Sequence, residues 1–135
     1  MTTTGKLLDL AKKMAEAAIA KAIEINVPMV IAIIDKHGNP VLFYRMEDSL
    51  LASIDIAANK AYTAVALKCG SHEIAEEAKE AGSLYGLASC DQGRMVVFGG
   101  GFPIKENGVI IGGIGVSGGS VDEDMSVAQA GLDIL

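Results

Sequence analysis

Nine of the sixteen glycines lie between residues 99 and 119, in Gly99-Gly-Gly-Phe-Pro103 and in Gly108-Val-Ile-Ile-Gly-Gly-Ile-Gly-Val-Ser-Gly-Gly119. A segment with so few side chains cannot form a core alone. The β-branched residues between the glycines, Val109, Ile110, Ile111, Ile114 and Val116, read as a strand, and Glu106-Asn107-Gly108 is a hairpin signal before it. The region is therefore expected to be rigidly placed, with its bare backbone open to a helix, another subunit or an anion. A second smooth surface complements it. Ala57, Ala58, Ala61 and Ala64 fall on a helix expected from Asp48 or Ser49 to about Lys68, with Gly70 as its stop.

The other elements follow from periodicity. Leu7, Leu10, Ala11, Met14, Ala18, Ala22 and Ile25 recur at helical spacing from Lys6 to Ile25. Met29–Ile34 is short, apolar on both alternating faces and β-branched, so it reads as a central strand covered on both sides. Asp35-Lys-His-Gly-Asn-Pro40 is turn chemistry, and Val41–Tyr44 returns as a second strand. Ser71 is expected to cap a short acidic helix to about Glu80, ended by Gly82. Ser83–Ser89 reads as a further turn or two of helix, and Met95–Phe98 as a strand. Ser120 with Glu123 forms a capping-box pattern for a final helix. The 135 residues make one domain, residues 1–135, of α/β class and α+β type: an antiparallel sheet with helices on its faces.

Composition narrows the function. Eleven basic and seventeen acidic side chains give a net charge of −6 with no basic block, against nucleic-acid or anionic-membrane partners. No apolar run reaches the length of a bilayer span, no leader pattern is visible at the start, and two cysteines are too few for a disulfide framework. A cytoplasmic setting is expected. Gly113-Ile-Gly-Val-Ser-Gly118 matches the dinucleotide fingerprint as text, but only one helix follows, without room for the second strand and distant acid. No nucleophile elbow and no zinc ligand set appear.

The residues left with chemical interest are few. Asp35 closes a buried strand. Lys60 and Thr63 stand one turn apart on the alanine-smooth helix, where a cation and a hydroxyl can meet a bound acid. His37 and His72 are the two imidazoles. Glu73/Glu76 and Glu77/Glu80 place carboxylates one helical turn apart, a spacing that suits a hard cation as well as a solvated face.

Five stretches, taken in order, resemble a known family: Ile33-Ile-Asp-Lys-His-Gly-Asn-Pro-Val41, Arg45-Met-Glu-Asp48, Ala57-Ala-Asn-Lys-Ala-Tyr-Thr-Ala64, Gly99-Gly-Gly-Phe-Pro-Ile104 and Gly108–Gly119. Their order and spacing, from about Leu7 to Leu132, resemble the GlcG/HbpS-like family, also called haem-degrading domains, which includes the C-terminal domain of PduO-type corrinoid adenosyltransferases. The resemblance implies a profilin-like three-layer arrangement, a symmetric homo-oligomer, and haem or a related tetrapyrrole as cofactor. It also implies iron handling through acidic pairs such as Glu73 and Glu76. The family's usual Arg-Met-Asp-Gly reads Arg45-Met-Glu-Asp48 here, and no adenosyltransferase segment is present.

The leading expectation is an oligomeric accessory protein holding a tetrapyrrole between the alanine-rich helix and the glycine-rich hairpin. Arg45 and Lys60 would supply charge, Tyr62 or Thr63 an oxygen, Gly99, Gly100, Gly101 and Gly115 close backbone, and His37 or His72 an axial imidazole. Two alternatives stand beside it: an enzyme acting on a small organic acid or aldehyde with Asp35 or Lys60 as acid/base, and a ligand-free scaffold.

Overall fold

The structure, a computed structural model, describes residues 5–135; residues 1–4, part of the stretch read as leaderless, lie outside it. Helix α1 spans Lys6–Glu24, strands β1 and β2 span Val30–Asp35 and Pro40–Arg45, and helix α2 spans Ser53–Leu67. After a 3-10 turn at Ser71–Ile74 come the short helix α3, Ala75–Ala78, and two more 3-10 turns. Strands β3, Gly101–Glu106, and β4, Val109–Ser117, lead to helix α4, Val121–Leu132.

The four strands form one antiparallel sheet in the order β2-β1-β4-β3. Alternation sorts the side chains into layers. Ile31, Ile33, Ile104, Ile114 and Val116 point to the face covered by α1 and α4, where they join Met14, Ala18 and Val127 in the main core. Val30 and Ala32 point to the other face and pack against Ala57 of α2. The result is three layers, with β1 covered on both sides as its unbroken apolar run requires.

Both hairpins follow their turn residues. Gly38 takes φ +88°, and Asn107 and Gly108 take φ +52° and +78°, the left-handed pair that lets a two-residue turn match the strand twist. Ser120 caps α4 in a reciprocal pair with Glu123.

Three expectations are corrected. Met95–Phe98 is not a strand: Val96 donates its N–H to the Thr63 hydroxyl on α2 instead of to a neighbouring strand. Helix α2 starts at Ser53, because Asp48 adopts a left-handed φ of +66° that ends the preceding turn. Ser71 opens a 3-10 turn without capping it, and its hydroxyl accepts the Gly101 N–H at 2.9 Å.

Candidate functional site

The two smooth surfaces do meet, but no recess separates them. A Cβ on Gly115 would stand 2.0 Å from the Ala57 carbonyl oxygen, one on Gly113 2.8 Å from that of Ala61, and one on Gly101 2.2 Å from that of Lys60. Gly101 and Gly115 are also paired across the β3–β4 ladder. Helix α2 thus lies directly on bare sheet backbone, and the wall expected to receive a flat ligand is filled by the protein's own strand. The other two glycines are equally enclosed. Gly99 sits under Met125 and Val121, and Gly100, at φ +127°, lies against Val116 and the Lys60 side chain. None of Gly99, Gly100, Gly101 and Gly115 presents free backbone to a ligand at this place.

Lys60 is turned inward. It is fully buried, and its ammonium donates to the Val116 carbonyl at 2.9 Å and to Asp124 Oδ2 at 2.7 Å. The other oxygen of Asp124 accepts the Gly119 N–H at 2.8 Å, and the Phe98 ring lies 5.1 Å from the ammonium. Burial pushes the Lys60 pKa down and that of Asp124 up, while their mutual bond opposes both shifts. The acid that Lys60 meets is therefore part of the same chain. The pair braces α2 to α4, which lie on opposite faces of the sheet.

Tyr62 and Thr63 hold a strap over the outer side of α2. Thr63 is buried; its hydroxyl donates to the Asn59 carbonyl at 2.7 Å and accepts from Val96 at 2.9 Å. The Tyr62 hydroxyl donates to Asp91, Arg94 binds the other oxygen of that carboxylate at 2.5 Å, and its guanidinium lies 4.2 Å over the Tyr62 ring. The Tyr62 bond and then Arg94 hold Asp91 below the usual carboxylate range, and the same bond raises Tyr62. Asp91 and Gln92 are both left-handed, at φ +53° and +60°, so the carboxylate is aimed by a backbone that L side chains rarely adopt.

The remaining candidates are dispersed. His37 is exposed at the tip of the β1–β2 turn, while Asp35 accepts the N–H groups of His37 and Asn39 at 2.8 and 3.0 Å. Those bonds outweigh burial and lower the Asp35 pKa, so it shapes the turn. His72 is exposed beside Phe102, with ring centroids 5.4 Å apart. Arg45 is exposed at the opposite end of β2 from the turn. Glu73 accepts the Gly70 N–H at 2.6 Å and Glu76 pairs with Lys79, so these two acids are engaged separately. Among the described residues no group of three or more His, Cys, Asp or Glu is placed to hold a metal ion.

Sequence reasoning missed Asp124, Asp91 and Arg94, and it missed an open hollow of about 490 Å³ lined by Lys36, Val65, Lys68, Gly108, Val109 and Ile110. Only Asp124 had a sequence signal, the lysine inside an apolar helical stripe at Lys60, which implies a buried acid somewhere.

The family model for the haem degrading protein HbpS-like family matches residues 7–133. A 15.0 kDa protein of the dhaT-dhaS intergenic region of Citrobacter freundii is 51% identical over 126 residues, 93% of this chain and 89% of that one. The corrinoid adenosyltransferase PduO of Salmonella typhimurium is 43% identical over 120 residues, 89% of this chain but only 36% of PduO. The crystal structure of a PduOC–haem complex superposes with a TM-score of 0.91 at 41% identity, covering 94% of this chain and 92% of that one. Among the described residues no helix is long and apolar enough to cross a membrane.

Proposed function

Because the chain belongs to the HbpS-like family, we propose that it is a haem-binding accessory protein of the cytoplasm that works as a homo-oligomer. The observation that carries this reading is the superposition of nearly the whole chain on a relative solved with haem. Its two free cysteines agree with a reducing compartment.

The geometry limits where haem can lie. With α2 seated on the glycines, no gap is left for a macrocycle between that helix and the strand backbone. It would rest on the outside, where the exposed imidazoles of His37 and His72 are the available nitrogen donors and Arg45 is an exposed cation. His37 or His72 would hold the iron there, and a second copy of the chain would help to exclude water. Lys60, Thr63 and the four glycines then act indirectly, by fixing the surface on which the donors sit. Bound haem would supply a redox-active iron; the chain's part is to orient it and help to exclude water.

Titrating haemin into micromolar protein tests this. The expected result is a saturating Soret band that shifts in either His37→Ala or His72→Ala, with sedimentation giving a species larger than one subunit. A featureless titration overturns the reading.

A further inference from the structure

The hollow at the end of the sheet is built from three separate parts of the chain. The β1–β2 turn gives Lys36, the end of α2 gives Val65 and Lys68, and the β3–β4 hairpin gives Gly108, Val109 and Ile110. Its floor is apolar, and Val109 leaves 63% of its surface open. Both lysines are exposed, and neither joins any ion pair among the described residues.

The two acids that flank the turns lining the hollow, Asp35 and Glu106, are committed elsewhere. Asp35 is turned into its own turn, bonded to the N–H groups of His37 and Asn39 and to the Asn39 side chain. Glu106, which flanks the β3–β4 turn opposite Val109, pairs with Lys6 of α1 at 2.8 Å, alongside a different hollow. A chain of net charge −6 therefore keeps two unpaired cations beside an apolar floor.

We propose that this hollow binds an organic anion, with the two lysines gripping carboxylate and Val65, Val109 and Ile110 receiving the apolar body. Charge and shape select this class. A cation is repelled by the lysines, and an inorganic anion leaves the floor wet. Two sources carry the chemistry, the propionate edge of a porphyrin and a free short-chain carboxylate. The porphyrin source rests on the haem reading above; the free acid does not.

The test follows the methyl resonances of Val65, Val109 and Ile110 during titration with hexanoate, hexylamine and haemin, in the wild type and in Lys36→Glu/Lys68→Glu. Both lysines are exposed, so the variant keeps the core intact. Expected is a hexanoate-induced shift that hexylamine does not reproduce, and affinity about tenfold weaker in the variant. If haemin is also about tenfold weaker in the variant, and haemin dimethyl ester binds the wild type equally poorly, the porphyrin edge is the source. Hexanoate binding without any haemin binding keeps this proposal and removes the haem reading. Haemin binding equally to both proteins, with no hexanoate shift, does the reverse.

Discussion

Lys60 and Asp124 hold one another at 2.7 Å with side chains 0% and 4% exposed, although they belong to helices on opposite faces of the sheet. Removing one partner leaves a charge in the interior with nothing to balance it. Asp124→Ala is expected to lower unfolding free energy by about 3–5 kcal/mol. The double variant Lys60→Met/Asp124→Leu should lose less than Asp124→Ala alone, since no ion is stranded. Urea unfolding decides this, and a single variant within about 1 kcal/mol of wild type would contradict the bracing role.

Gly115→Ala tests the contact between α2 and the sheet. The new carbon would lie 2.0 Å from a backbone oxygen, which a rotamer change cannot relieve. A loss of about 3 kcal/mol or more is expected, beyond ordinary overpacking. Gly131→Ala on α4 is the control. Its Cβ would be 3.0 Å from the movable tip of Ile114 and 3.1 Å from the Met14 carbonyl oxygen, and alanine favours helix, so its loss of unfolding free energy should be clearly smaller, about 1–2 kcal/mol. Equal losses in the two variants would refute the close approach.

The Asp35 carboxylate ties down the β1–β2 turn, and its pKa is lower folded than unfolded. A depressed carboxylate stabilises the fold above its unfolded value and loses that contribution as pH falls through its folded value. Stability should therefore drop on acidification in the wild type, with this component missing in Asp35→Asn. Carboxyl carbon NMR should place Asp35 below the ordinary aspartate value; a result at or above it removes the prediction.

Thr63→Val deprives the Val96 N–H of its acceptor and should cost about 1–3 kcal/mol. Tyr62→Phe frees Asp91 from its hydroxyl bond, and the Asp91 pKa should rise. Amide exchange should quicken from Asp91 to Val96 in both variants while the β4 amides stay protected. Uniform acceleration across the sheet would mean the strap is not a separate unit.

Much of the fold was legible because it is local. The apolar run of β1, the Asn107-Gly108 turn and the Ser120/Glu123 cap each declare themselves within a few residues. Met95–Phe98 failed for a nonlocal reason. Its β-branched residues suit a strand, but the hydroxyl of Thr63, 33 residues away, takes the Val96 N–H. The candidate site fared the same way. Lys60 stood out in sequence, yet its partner lies 64 residues further on. The alanine and glycine surfaces were recognised as mates, but small residues permit a slot for a ligand and a dry joint alike. Only the distances at Gly101 and Gly115 tell which was built.

Seating a helix on naked backbone makes the middle of this protein a girder. Apart from the buried Lys60–Asp124 pair, the polar candidates have been displaced to the perimeter, onto turn tips and the wrapping segment. New specificities can therefore be engineered or evolved there with little penalty to folding, while the girder itself tolerates almost no revision.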